Sequence, residues 1–159
     1  MTITNHGTFF IERRYDVTPQ RVFAAWSDAD AKRTWFVEGK GWELRSYELD
    51  FREGGRETSN FRFLDGVKAF GEETSFSNET VYYEIIPNER LIFTYSMSRN
   101  GKRFSVSLAT VEFKDEGGST RLMFTEHAAF FDGADGLKMR EQGWQELLSR
   151  LDAFLKQGA

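Results

Sequence analysis

Apolar residues recur at intervals of three and four positions in the last part of the chain, over residues 135–157. In an α-helix this spacing places them on one face, while charged residues such as Lys138, Arg140 and Glu146 fall on the other. The apolar face comprises Leu137, Trp144, Leu147, Leu148, Leu151, Phe154 and Leu155. Because such a face is stable only when it is covered, the pattern predicts one long helix packed on the rest of the chain.

Most of the chain before this helix alternates between apolar and polar residues, which is the period of a β-strand. Turn residues such as Gly, Asn, Asp and Pro separate the alternating stretches. The predicted strands are 8–15, 44–51, 56–64, 79–86, 91–99, 102–114 and 119–130. The stretch 67–78 is polar with isolated phenylalanines, and we interpret it as a loop or a weak edge strand. The series predicts an antiparallel sheet that curves around the C-terminal helix.

Two short helices are predicted between the first and second strands. Thr18 is a suitable N-cap, and Pro19 suits the first position of a helix because it needs no N–H donor there. Asp28 interrupts this helix and can cap a second one, which carries Trp35 and Phe36.

Composition narrows the class of protein. A chain of 159 residues with 40% hydrophobic and 29% charged residues is typical of one globular domain, and we expect a single domain over 1–159. A net charge of −4 with interspersed signs argues against a nucleic-acid partner. The absence of cysteine excludes disulfides, and no apolar run reaches the roughly 20 residues of a membrane span. We therefore expect a cytoplasmic protein without membrane insertion.

The sequence indicates neither a catalytic site nor a metal site. His6 and His127 are the only histidines, and neither has the spacing of a catalytic triad or a third metal ligand. The turn at Gly54 and Gly55 is not followed by a helix, so it is not a phosphate-binding loop. We predict no metal and no cofactor.

Aromatic residues are unusually frequent, with sixteen Phe, five Tyr and four Trp. Aromatic side chains either fill a core or provide the flat walls of a cavity. A strongly bent sheet that grips one helix leaves space between them, so the pattern predicts a cavity at that position. For each aromatic residue, simple core packing is the alternative interpretation.

The order of these elements resembles a known family, and several short motifs carry the resemblance. They are residues 22–28 with Trp35 and Phe36, residues 50–55, residues 84–91, residues 110–113, and residues 120–122 with Gly143 and Trp144. Together they resemble the START/Bet v 1-like (SRPBCC) superfamily, in its branch related to the Hsp90 ATPase activator homologue 1. The resemblance implies an α+β helix-grip fold, with six or seven antiparallel strands around a long C-terminal helix.

The resemblance also implies a ligand cavity between helix and sheet. Strand parity and helix spacing select the residues that we expect to line it. The candidate ligand-binding residues are Arg13, Trp26, Trp35, Phe36, Phe61, Phe63, Tyr83, Phe93, Tyr95, Phe124, Glu126, Trp144 and Leu148.

Two charged residues fall on inward faces of the predicted sheet. Arg13 alternates with Ile11 and Tyr15 in the first strand, and Glu126 alternates with Phe124 in the last. In this fold the first and last strands are expected to be neighbours, so we hypothesise that Arg13 and Glu126 form an ion pair. The pair would be either structural or a ligand anchor.

Three functions are consistent with the sequence. The favoured one is non-catalytic binding of a small hydrophobic or aromatic ligand. An enzyme related to polyketide cyclases and aromatases is the second, with Glu126 as acid or base and Tyr95 or Arg13 polarising a carbonyl. The third is an Hsp90 activator-type interaction. It is less favoured, because no segment resembles the separate N-terminal domain of eukaryotic activators. A homodimer remains open, and the sequence does not identify the ligand.

Overall fold

The alternating stretches form seven strands in the structure, a computed structural model that describes residues 3–158. The strands are β1 (Asn5–Tyr15), β2 (Trp42–Leu49), β3 (Arg56–Phe63), β4 (Thr74–Ile86), β5 (Arg90–Arg99), β6 (Lys102–Asp115) and β7 (Thr120–Phe130). They form one antiparallel sheet in the order β1-β7-β6-β5-β4-β3-β2. A long helix, α4 (Leu137–Gln157), packs on this sheet, so the predicted helix-grip fold is confirmed.

Capping residues determine where the two short helices after β1 begin. Helix α1 (Pro19–Ser27) begins after Thr18, whose hydroxyl accepts a hydrogen bond from the N–H of Arg21 at 3.3 Å. Helix α2 (Ala29–Lys32) begins after Asp28, whose carboxylate accepts from the N–H of Ala31 at 2.9 Å. A π-helical turn (Arg33–Val37) continues it, and this turn carries Trp35 and Phe36. Both predicted helices are confirmed.

The polar stretch 67–78 is not the loop or weak edge strand that its composition indicated. Its first part belongs to a short helix, α3 (Gly66–Phe70), and its last part is the beginning of β4. Strand β4 pairs with β3 on one side and β5 on the other, so this segment lies inside the sheet. Backbone pairing on both sides stabilises a strand that has little intrinsic preference for one.

A β-bulge in β4 overturns the predicted orientation of Tyr83. The register pairs Tyr82 with Phe93 and Glu84 with Ile92, which leaves Tyr83 as the extra residue. The side chain of Tyr82 is consequently buried, whereas Tyr83 is 63% exposed. Strict alternation through this strand is broken by one residue, and this shifts every later side chain to the other face.

The core fills most of the space between α4 and the sheet. Leu148, Leu151 and Leu155 are buried, and the hydroxyl of Tyr15 donates to the backbone oxygen of Leu148 at 2.9 Å. Since this half of the helix is closely packed, any cavity must lie near its N-terminal half. Within the described residues, no helix is long and apolar enough to cross a lipid bilayer.

Three buried tyrosines and the half-buried Tyr47 predict a steep loss of stability at alkaline pH. Burial raises the pKa of Tyr15, Tyr47, Tyr82 and Tyr95 above the usual value. In the unfolded chain these phenols lose their protons near pH ~10, while in the folded chain they keep them. The folded state then binds more protons, so the free energy of unfolding falls as pH rises above this value, by about 1.4 kcal/mol per pH unit for each phenol that stays neutral.

This loss of stability is measured by urea denaturation at a series of pH values above ~10. The near-ultraviolet absorbance of phenolate, recorded at the same pH values, reports how many tyrosines have ionised. We expect at least four of the five tyrosines to ionise only when the protein unfolds. Ionisation of all five in a protein that keeps its native circular dichroism would contradict the burial of these phenols.

Candidate ligand-binding cleft

A two-lobed cleft lies beside the N-terminal half of α4. Phe36, Asn78, Met97, Gly143 and Leu147 line both lobes and therefore form a shared wall. The Arg140 lobe has a volume of about 190 Å³ and adds Tyr95, Asp135, Met139, Arg140 and Trp144. The Trp42 lobe has a volume of about 290 Å³ and adds Val37, Trp42, Ser59, Phe61, Glu146 and Arg150.

The sequence of α4 explains why this space exists. Arg140, Gly143 and Leu147 follow one another at helical spacing and all face the cleft. Gly143 contributes no side chain, and a Cβ atom built on it meets no heavy atom within 4 Å. A helix-interior glycine is unfavourable by about 1 kcal/mol relative to alanine. Here the glycine leaves a gap between the helix and the sheet.

A buried polar cluster forms the end of the Arg140 lobe. The hydroxyl of Tyr95 donates to the carboxylate of Glu126, whose two oxygens both lie at 2.8 Å. Ser107 also donates to Glu126 at 2.8 Å, and Trp144 donates its indole N–H to the Tyr95 oxygen at 3.1 Å. Burial raises the pKa of Glu126, although the charge of Arg140 and the hydrogen bonds oppose that shift. Glu126 is fully buried and lies behind Tyr95 rather than in the wall of the cleft.

The donors of Arg140 are occupied within the protein. Its Nε and Nη2 atoms donate to the carboxylate of Asp135, each at 2.9 Å. Nη2 also donates to Ser105 at 2.8 Å, and Nη1 donates to Tyr95 at 3.1 Å and faces Glu126 at 3.4 Å. One guanidinium is therefore surrounded by two carboxylates and several hydroxyls, which leaves it little capacity to bind an anion.

The hypothesised ion pair between Arg13 and Glu126 does not form. The register pairs Arg13 with Leu122 and Glu126 with Phe9, so the two charged residues are separated by four positions along the strands, or ~13 Å. Arg13 instead donates to the backbone and side-chain oxygens of Gln145, at 2.8 and 2.7 Å. Glu126 pairs with Arg140. Both residues are neighbours of α4, at different depths.

The structure brings only some of the predicted ligand-binding residues to the cleft. Phe36, Phe61, Tyr95 and Trp144 line it. Five others are buried in the core and do not line either lobe: Trp26, Trp35, Phe93, Phe124 and Leu148. Phe63 packs against the Trp42 ring at 4.7 Å between centroids, outside the lobe linings. Tyr83 faces outward, and Arg13 contacts the solvent-facing side of α4.

Sequence reasoning missed three residues that shape the cleft. Arg140 was assigned to the polar face of α4, yet its side chain is buried. It precedes Trp144 by four positions and Leu147 by seven, and this spacing was the available signal that it shares the apolar face. Asn78 and Gly143 gave no comparable signal, because an isolated Asn or Gly is usually read as a turn or surface residue.

A second buried polar cluster lies behind Phe36. The ammonium of Lys32 lies 2.6 Å from Glu57 and 3.1 Å from the hydroxyl of Tyr82, and 4.6 Å from the centre of the Phe36 ring. Tyr47 and Tyr82 also donate to Glu57, at 2.6 and 2.7 Å. Burial lowers the pKa of Lys32, and the Glu57 carboxylate opposes that shift. This cluster connects α2 to β2, β3 and β4.

Metal binding has no support in the part of the chain that the structure describes. Residues 3–158 contain no group of three or more His, Cys, Asp or Glu side chains arranged to hold an ion. The clustered carboxylates of Glu126 and Asp135 are instead engaged by Arg140.

A family model and several solved structures are similar to this chain over nearly its whole length. The family model described as Activator of Hsp90 ATPase homolog 1-like protein matches residues 16–156. A solved structure from Rhizobium leguminosarum shares 37% identity with a TM-score of 0.89, and the match covers 99% of each chain. One from Rhizobium loti shares 39% identity with a TM-score of 0.82, over 96% of this chain and 99% of the other.

A more distant structure from Chromobacterium violaceum has 23% identity and a TM-score of 0.71, and the match covers 93% of this chain and 96% of that one. At this level of identity the likeness concerns the fold alone. No match was found among curated proteins.

Proposed function

The chain belongs to the family of Activator of Hsp90 ATPase homolog 1-like proteins, and on that premise we propose that it binds a small apolar or aromatic molecule in the two-lobed cleft. The observation that carries this proposal is the pair of lobes, of about 190 and 290 Å³, that share a wall in which Asn78 is the one polar side chain. Protein ligand sites are typically concave and mostly apolar, with a few fixed polar groups. Each lobe suits one or two rings, so the two lobes together suit a ligand of up to three.

The walls of the cleft support this choice of ligand. Phe36 and Trp144 lie with their ring centroids 5.7 Å apart and tilted by 40°. Trp144 also packs on the buried ring of Phe124 at 4.2 Å, which fixes its position. Rigid aromatic walls bind flat apolar molecules without a large loss of side-chain entropy.

The geometry favours binding over acid–base catalysis. An acid or base must come within hydrogen-bond reach of the reacting atom. The carboxylate of Glu126 is fully buried and already accepts hydrogen bonds from Tyr95 and Ser107. Tyr95 lines the Arg140 lobe, but its buried hydroxyl donates to Glu126 and accepts from Arg140 and Trp144. The Glu126 carboxylate and the Tyr95 hydroxyl are both hydrogen-bonded within the protein, so neither is free to exchange a proton with a ligand.

The proposal is tested with N-phenyl-1-naphthylamine, a neutral dye that fluoresces in apolar surroundings. We expect saturable fluorescence enhancement at one site per chain, together with a higher melting temperature of the protein in the presence of the dye. Mass spectrometry of the purified protein under native conditions should show whether it carries a ligand of similar size. A linear, unsaturable fluorescence response with an unchanged melting temperature would contradict the proposal.

A further inference from the structure

The side chain of Asn78 is unusual among the residues of the cleft. Asn78 lies on β4 between Ser59 of β3 and Met97 of β5, in the wall that both lobes share. Its carboxamide oxygen is buried and has no hydrogen-bond partner among the described residues. The other side chains of the shared wall, those of Phe36, Met97 and Leu147, are apolar.

A buried amide oxygen without a hydrogen-bond partner destabilises the folded protein. A buried polar group without a partner costs about 1–3 kcal/mol, and an apolar residue of the same shape would avoid that cost. Buried polar groups in folded proteins are almost always paired, and exceptions require an explanation. Because Asn78 lines the cleft, a turn of its amide brings the oxygen to the cleft surface, where a ligand group can donate to it. A half-turn of the amide presents either its oxygen or its NH₂ group, so it can accept or donate.

The charges around the Arg140 lobe restrict what that partner can be, whereas Arg150 and Glu146 place opposite charges at the Trp42 lobe. In the Arg140 lobe, the guanidinium is already bound by Asp135, Ser105 and Tyr95, and Glu126 adds a second carboxylate. A carboxylate on a ligand would meet two like charges and no unoccupied donor of Arg140. A neutral polar group meets no such repulsion.

From this arrangement we propose that Asn78 binds a neutral hydroxyl or carboxamide group on an aromatic ligand, and that the Arg140 lobe discriminates against anionic ligands of the same shape. The inference rests on the proposed function, since it assumes that the cleft is occupied. The inference adds the chemical class of the ligand and names Asn78 as the residue that recognises its polar group. Phe36 and Trp144 would hold the apolar part.

Isothermal titration calorimetry near neutral pH with naphthalene, 2-naphthol, 2-naphthamide and 2-naphthoate tests this selectivity. We expect 2-naphthol and 2-naphthamide to bind about tenfold more tightly than naphthalene, as one good hydrogen bond provides. 2-Naphthoate should bind more weakly than naphthalene. Asn78→Leu should lower the affinity for 2-naphthol and 2-naphthamide about tenfold and leave naphthalene unchanged or tighter.

Two further variants keep the test decisive. Asn78→Val removes the amide with a residue that suits a strand, and it replaces the leucine variant if that does not fold. Asn60→Leu, at an exposed position on β3, is the control and should leave all four affinities unchanged. Three results would overturn the inference and leave the proposed function standing, provided that naphthalene binds. The protein would show no preference for 2-naphthol over naphthalene, or it would keep that preference in both Asn78 variants, or it would bind 2-naphthoate more tightly than 2-naphthol. If none of the four binds, the proposed function fails, and the inference fails with it.

Discussion

Replacing Lys32 with methionine is expected to lower the free energy of unfolding by about 3–5 kcal/mol. The residues Lys32 and Glu57 are only 1% and 3% exposed, and the Lys32 ammonium lies 2.6 Å from the Glu57 carboxylate. Removing the ammonium leaves a buried carboxylate held only by the hydroxyls of Tyr47 and Tyr82. The penalty of an uncompensated buried charge is then much larger than the loss of one contact.

A double-mutant cycle separates that charge penalty from other effects. Glu57→Gln removes the charge and keeps one oxygen that accepts from a tyrosine, while its NH₂ group can donate to the hydroxyl of the other tyrosine. Lys32→Met combined with Glu57→Gln should therefore be more stable than Lys32→Met alone by about 2 kcal/mol. Lys40→Met, at an exposed lysine, is the matched control and should change stability by less than about 0.5 kcal/mol. Urea denaturation measures the four proteins of the cycle and the control. Equal effects of Lys32→Met and Lys40→Met would contradict the buried ion pair.

Replacing Gly143 with phenylalanine is expected to weaken binding of N-phenyl-1-naphthylamine at least a hundredfold. Gly143 lies in the wall of both lobes, and a Cβ atom at this position meets no heavy atom within 4 Å. A phenylalanine ring placed there occupies the space that the dye would need. The substitution also stabilises the helix, because phenylalanine has a higher helix propensity than glycine. Loss of binding would therefore occur in a protein that remains folded.

Gly143→Ala is the control for this variant. One methyl group should raise the free energy of unfolding by about 1 kcal/mol through helix propensity. It fills only a small part of the cleft, so the affinity for the dye should change by a few fold at most. Unaltered dye affinity in Gly143→Phe, with a normal melting temperature, would place the dye outside the cleft.

The elements of the fold were predictable because their signals are local. Thr18 with Pro19 and Asp28 mark helix starts through hydrogen bonds within one turn. The hairpin between β5 and β6 is marked by Asn100 and Gly101, which adopt positive φ angles of 49° and 80°. The apolar stripe of α4 indicated its length to within two residues. None of these features requires knowledge of a distant residue.

The cleft was less predictable, because it depends on register and on pairs of residues far apart in sequence. A bulge at Tyr83 reverses the faces of all later side chains in β4, and nothing in the local sequence signals it. The partner of Glu126 is set by how α4 docks on β7, so parity alone selected Arg13 instead of Arg140. Asn78 is polar in a polar stretch, and its lack of a partner is visible only in three dimensions.

The most direct test of the account is a crystal of the protein soaked with 1-bromonaphthalene, in which the anomalous signal of bromine locates the molecule. We predict a bromine peak between Phe36, Met97 and Leu147, in the wall shared by the two lobes. The same soak of Gly143→Phe crystals should show no peak at this position. A peak on the outer face of the sheet, near the exposed side chains of Val106 and Leu108, with an empty cleft, would contradict the account.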